Sequence, residues 1–228
     1  FEIGDASWSA RWERTGHKDN PEKPEYKAHR IQTEDEKSNI EGILSKSSDF
    51  TAEQIERNAT EKAPLNFDLT SLQREANNIW SWSAKRTLSV AQELYDTHKL
   101  TTYPRTDSRY LPEDMMENIS KTIRQLGAQE SFQPHSSNLI ENGLANVNRN
   151  FNSKKVSDHF AIIPTGKLPD AKLNADASKL YDLISRQFLA SFHPESVWKV
   201  EKRIVKKSGH QFIKEARHLS TPGWRAVK

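Results

Sequence analysis

Hydrophobic positions along the chain change their period twice. Between Ala6 and Arg14 the sequence ASWSARWER sets Trp8, Ala10 and Trp12 in alternation with Ser7, Ser9, Arg11 and Glu13. That two-residue period is the mark of a half-buried strand, and the Trp8–Trp12 stripe reads as core. A charged loop with Pro21 and Pro24 follows. Thr33 then has Glu36 three residues on, and Ile40, Ile43 and Leu44 take helical spacing, which predicts a capped helix. Phe50 to Lys62 reads as a further strand, and Pro64 marks a boundary. From Thr70 to Gly127 the period turns helical. Leu72 to Ile79 makes a short helix, Trp80 to Trp82 a turn, and Ser83 caps a second helix whose Leu88, Ala91, Leu94 and Tyr95 share a face. Two helices about a tight turn suggest a helix-turn-helix arrangement. Leu100 to Asp107 leaves the helix, and Pro112 precedes another that runs to Leu126. Ser131 to Ser157, rich in Asn and Ser, reads as loops with one short helix. Ala175 to Phe192 is amphipathic, with Leu180, Leu183, Ile184 and Phe188 on one side and Pro194 as its stop. Val197 to Lys206 and Gln211 to Leu219, about a turn at Ser208 and Gly209, form a hairpin signal.

The order is therefore β, then α, then β. The fold class expected is α+β. A β-rich domain is built from both chain ends, residues 1–64 and 193–228, with a helical domain of residues 65–192 inserted between them. Only 34% of the 228 residues are hydrophobic, and mean hydropathy is −0.86. A core is still possible, because 9 Phe, 6 Trp and 5 Tyr each bury a large area. Net charge is +3, which weakly favours an anionic partner. No Cys is present, so disulfides and thiolate metal sites are excluded. No apolar run approaches the roughly 20 residues of a membrane span, and no signal peptide is visible, so a cytoplasmic protein is expected. Phe1 stands where a start Met would, and Trp224 to Lys228 read as a strand cut short. An excised piece of something longer is the expectation.

The chemistry concentrates in Leu100 to Leu111, LTTYPRTDSRYL. Pro104 pushes Tyr103 away from helical geometry toward an extended backbone. In an extended chain alternate residues point the same way, so Tyr103 and Arg105 share a face, with Asp107 next on it. A phenol beside a guanidinium suits phosphoryl transfer to tyrosine. A free tyrosine titrates near 10, so reaching the phenolate at pH 7 takes about 4 kcal/mol. A guanidinium offsets part of this and can also hold phosphate oxygens with its forked donors. A lone Y-x-R is more often a packed aromatic beside a solvated arginine, so the longer string has to carry the reading.

That longer string closely resembles the active-site tyrosine motif of type IA DNA topoisomerases, and Pro after the Tyr looks like the topoisomerase III form. FDLTSLQREAN and SAKRTLSVAQELYDTHK upstream are similar to the same family. SDHFAIIPTG, from Ser157 to Gly166, resembles its histidine-containing segment, and PGWRAV resembles the end of its arch domain. The resemblance covers nearly the whole chain in order, and is weakest over Phe1 to Lys62. It implies a β-rich arch domain and an inserted, winged-helix-like domain carrying the tyrosine. Tyr103 would link covalently to a 5′-phosphate of single-stranded DNA, and Arg105 would bind the scissile phosphate. Thr106, Asp107 and Ser108 would shape the site, and His159 would contact DNA near the cleavage point. The reaction would be strand passage and religation without ATP.

Lys85 and Arg86 lie in the first turn of the helix after Ser83, where cations oppose the helix dipole. A DNA contact would give them a purpose, and a solvated helix end is the alternative. Lys154 and Lys155 are equally open. Trp80 and Trp82 could stack on bases but fit core packing better. There is no dinucleotide-type glycine pattern, no G-K-[ST] phosphate loop and no D-x-D cluster, and the eight His lack metal-ligand spacing. The metal-binding Toprim module that the family implies is missing. Magnesium would therefore be held by remaining domains of the same polypeptide, with none expected here. Two other readings compete. Tyrosine recombinases and type IB topoisomerases also use Tyr and Arg, but their H-x-x-R element is absent. A non-enzymatic helix-turn-helix DNA-binding module would leave LTTYPRTDSRYL without a reason.

Overall fold

The fold was analysed in a computed structural model. It describes residues 2–3, 6–7, 9–18, 20–45, 51–169, 173–207 and 210–228. Strands and helices are mixed, as expected of an α+β chain. The chain divides into two compact units: residues 1–59 with 197–220, and residues 60–196 with 221–228.

The first unit is built on a sheet. Its strands are β1 (Glu2–Ile3), β2 (Ala6–Ser7), β3 (Arg11–Glu13), β4 (Thr51–Glu61), β5 (Ser196–Lys207) and β6 (His210–Thr221). β1 and β2 pair antiparallel, and the other four form a sheet in the order β3-β6-β5-β4. β3 lies antiparallel to β6, with Trp12 opposite Phe212. Trp12 is half-buried and donates its indole N–H to His210 Nδ1 at 3.2 Å. Trp8, the other member of the expected stripe, lies outside the described residues, as does the expected turn at Ser208 and Gly209. The helix expected after Thr33 is α1 (Glu34–Ser45), whose Glu36 N–H is capped by Thr33 Oγ1 at 3.1 Å. The charged loop before it has an organising centre. Arg14 stacks 4.7 Å from Tyr26, donates to Arg30 O at 2.6 Å, and forks onto both Glu36 oxygens at 2.5 and 2.6 Å.

The second unit holds α2 (Leu69–Trp80), α3 (Ala84–Asp96), α4 (Met116–Leu126), α5 (Gln133–Asn142), α6 (Val147–Asn150) and α7 (Ala175–Ser191). α2 begins three residues earlier than its apolar spacing suggests. Asp68 accepts from Ser71 N at 2.6 Å while Ser71 Oγ accepts from Asp68 N at 3.1 Å, a reciprocal cap. Ser81, at φ +57°, makes the left-handed turn, and Ser83 caps α3 by accepting from Arg86 N at 3.2 Å. α7 is buried on most of its circumference, including Leu180, Ile184 and Phe188, and forms the hub of a continuous core with Leu94, Ile123, Leu126 and Phe132.

Two expectations fail here. Ser131 to Ser157 is not loops around one short helix. It contains the ten-residue α5 and a second helical turn, α6. Burial of Phe132 and Leu139 supplies what the Asn- and Ser-rich sequence lacks in propensity. The tail is not a strand either, since Gly223–Ala226 forms a 3₁₀ turn. Gly223 sits at φ +52°, and Trp224 Nε1 donates to Glu61 O at 3.1 Å, which ties the turn into the helical unit.

Candidate active site

α3 delivers the chain to the site. It ends at Asp96, Lys99 then takes φ +57°, and Leu100 N–H folds back onto Leu94 O at 2.9 Å. The chain then runs extended. Thr102 N–H donates to Ile163 O at 2.9 Å and Thr165 N–H to Leu100 O at 2.9 Å, so residues 100–102 lie antiparallel to residues 163–165. The Thr102 hydroxyl tightens this pairing. It donates to Ala161 O at 2.8 Å and accepts from Ile163 N at 2.9 Å. Gly166 ends this partner segment at φ +91°, and a Cβ there would run into the Gln125 side chain, so the turn requires glycine.

Burial alternates through the motif. Pro104, Thr106 and Ser108 are buried, while Tyr103 is half-buried and Arg105 and Asp107 are exposed. The three residues expected to share a face do so, on the open side. The buried set fastens the segment from beneath. Thr106 Oγ1 donates to His159 O at 2.8 Å and accepts from Ser108 N at 3.0 Å. Ser108 Oγ donates to Lys155 O at 2.9 Å, and Leu69 N–H to Thr106 O at 3.0 Å. On the open side Ser157 Oγ donates to Asp107 Oδ1 at 3.0 Å.

These bonds bring His159 to the tyrosine. The two ring centroids are 4.3 Å apart at 44°, although 56 positions separate them in sequence, and His159 is exposed. Tyr95, on the last turn of α3, also stands edge-on to Tyr103, at 5.4 Å and 76°. Lys99 Nζ lies 5.3 Å over Tyr95. The tyrosine thus contacts two rings, and the guanidinium two residues on has open approach from solvent.

Other sequence candidates have different surroundings. Arg86 forks onto Asp176 Oδ2 at 3.0 and 2.7 Å in the first turn of α7, and stacks 4.7 Å over Trp82. Lys85 is exposed in the first turn of α3. Lys155 Nζ donates to Tyr110 Oη at 3.3 Å. Trp82 is buried and Trp80 packs against it at 4.8 Å, a core pair as expected. Sequence reasoning placed Tyr95 only on the packing face of α3 and did not find its contact with the Tyr103 ring.

Among the described residues no group of three or more His, Cys, Asp or Glu is placed to hold a metal ion. Asp107 alone cannot build an octahedral magnesium site. The residues present do not fit that ion.

Fold and cluster together define a class: a mixed helix-and-sheet protein that sets a half-buried tyrosine and an exposed guanidinium on one face of an extended segment, with a histidine against the ring. The particular family follows from comparison. A family model described as "DNA topoisomerase" matches residues 5–228, and the chain belongs to that family. It is 42% identical over 168 residues to DNA topoisomerase 3 of Shouchella clausii, covering 73% of this chain and 23% of that protein. It is 36% identical over 192 residues to DNA topoisomerase 3 of Pasteurella multocida, covering 82% and 29%. Full-length topoisomerase I of Thermotoga maritima shares the fold, with a TM-score of 0.59 at 22% identity over 89% of this chain and 32% of that one. The chain thus spans about a quarter of the length of these curated relatives.

Proposed function

We propose that this chain is the strand-cutting part of a type IA topoisomerase of the topoisomerase III kind, and that Tyr103 is its nucleophile. The phenol oxygen attacks a phosphodiester of single-stranded DNA, forming a 5′-phosphotyrosine and releasing a 3′-hydroxyl. Attack by that hydroxyl reseals the strand after passage. The covalent link conserves the phosphodiester bond energy, so no ATP is needed. Arg105 holds the scissile phosphate, and His159 contacts DNA beside it. Thr106 and Ser108 fix the strand from below, with Asp107 at its open edge. Lys85 is a further contact to the strand. Arg86 can join it only by leaving Asp176, and we place it last among the DNA contacts. The sheet-bearing residues 1–64 and 193–228 would form the arch, and residues 65–192 a winged-helix-like domain. Magnesium would be bound by domains outside this chain, in a cytoplasmic enzyme.

One observation carries the reading: the Tyr103 ring stacks on that of an exposed His159, 56 positions away in sequence, and an exposed Arg105 follows two residues after the tyrosine. A plain helix-turn-helix DNA-binding module would account for α2 and α3 but not for this gathering. The test is Tyr103→Phe in the full-length protein. Covalent trapping on single-stranded DNA should vanish while DNA binding stays nearly unchanged, because the ring keeps its size and loses only the nucleophile. An adduct formed by the Phe variant would remove Tyr103 from this role.

A further inference from the structure

We propose that Gln92 is a positioning residue that orients the Arg105 guanidinium; this rests on the reading of Tyr103 and Arg105 above. Gln92 lies on α3, three residues before Tyr95, and is half-buried. With its amide oxygen turned toward Arg105 it accepts from Nη2 at 3.2 Å and from Nε at 3.3 Å. That is the orientation in which an acceptor, not a second donor, faces the guanidinium.

The choice of edge matters. Arg carries five N–H donors. Gln92 occupies the side edge, made by Nε and one Nη2 hydrogen. The end edge remains, with one hydrogen on each Nη pointing outward in parallel, and this edge grips two phosphate oxygens at once. Arg105 is otherwise an exposed side chain with four rotatable bonds. Free, it would have to lose that mobility when the phosphate arrives. Fastened by a neutral amide, it is set in advance and keeps its full charge for the phosphate. A carboxylate at position 92 would hold the same edge but would partly cancel that charge. α3 therefore supports both halves of the site, with Tyr95 against the nucleophile and Gln92 against the phosphate clamp.

The test uses the full-length protein, a single-stranded oligonucleotide and single-turnover cleavage, with DNA affinity measured separately. Q92M keeps length and helix propensity and removes the acceptor. It should slow cleavage about tenfold to a hundredfold, the range for losing a hydrogen bond to a charged group, while affinity changes by less than about threefold. Q92E keeps the acceptor, so it should cleave faster than Q92M yet bind DNA more weakly. In an R105K background Q92M should add less than about a twofold loss, because the group it orients is gone. Melting temperatures identify any variant that fails to fold. Wild-type cleavage by Q92M, or equal losses in both Arg105 backgrounds, would overturn the positioning role. Tyr103→Phe run alongside separates the failures. If it is inert while Q92M is unaffected, only the positioning role falls. If it still forms an adduct, the site itself has been misread.

Discussion

Thr106→Val tests whether the hydrogen bonds beneath the motif hold the site together. Thr106 is 7% exposed, and its hydroxyl serves two backbone groups, the part-buried His159 carbonyl and the buried Ser108 N–H. Valine keeps the branched shape and removes both bonds. Each such bond contributes about 0.5–1.5 kcal/mol net, and groups left unpaired raise the penalty. Two lost bonds come to about 2 kcal/mol. For a chain of this size about 1 kcal/mol moves the melting temperature by about 2–4 °C, so a drop of about 4–8 °C is expected in thermal unfolding followed by circular dichroism. Thr106→Ser keeps the hydroxyl and should lose much less. Cleavage by the full-length protein should fall in the Val variant as well, because His159 is fastened beside Tyr103 through that same carbonyl. A Val variant melting within about 1 °C of wild type would refute the reasoning.

Three further outcomes are expected. The isolated chain should bind single-stranded DNA weakly and lose it as salt rises, and it should not relax supercoiled plasmid, since a net charge of +3 supplies few phosphate contacts; efficient relaxation would show a complete site in this chain. Acid should destabilise the helical unit through His135 and His193, whose rings lie 6.2 Å apart. Burial holds both below the usual 6.5, and His193 and Arg186 add charge repulsion at His135. The unfolded chain then binds protons more readily, so this stability is complete above about 6.5 and drains as pH falls below it; a melting temperature flat from about pH 7.5 to 5.5 would contradict that sign. Gly223→Ala should lower stability by more than about 1 kcal/mol, read by melting, because its φ is +52° and a Cβ would lie 2.6 Å from Pro194 O and against Glu195 O as well.

Much of the site was legible because a single local rule set it. Pro104 forces extension, extension alternates faces, and the observed burial of residues 103 to 108 follows that alternation. The meeting of Tyr103 with His159 was not legible from spacing, because it depends on pairing between two segments some 60 positions apart, made through Thr102 and Ile163. It came from the resemblance of SDHFAIIPTG. Gln92 could not be found locally either, since a glutamine on a helix face reads as solvated until its partner is known. The helix content of residues 131–157 was underread because Phe132 and Leu139 sit among polar neighbours, and tertiary burial overrides propensity there. The last turn was misread because PGWRAV has strand-like alternation. The left-handed Gly223 and the Trp224 bond to Glu61 O bend it back instead.

The central claim is that the Tyr103 oxygen becomes bonded to DNA phosphorus. Full-length protein, incubated with magnesium and a single-stranded oligonucleotide labelled on the 3′ side of the cut, can be denatured, digested with protease and mapped by mass spectrometry. The account predicts one labelled peptide, spanning Leu100 to Arg105, with the nucleotide joined through its 5′-phosphate to Tyr103. A label on any other residue, or a label retained only from the 5′ side of the cut, would contradict it.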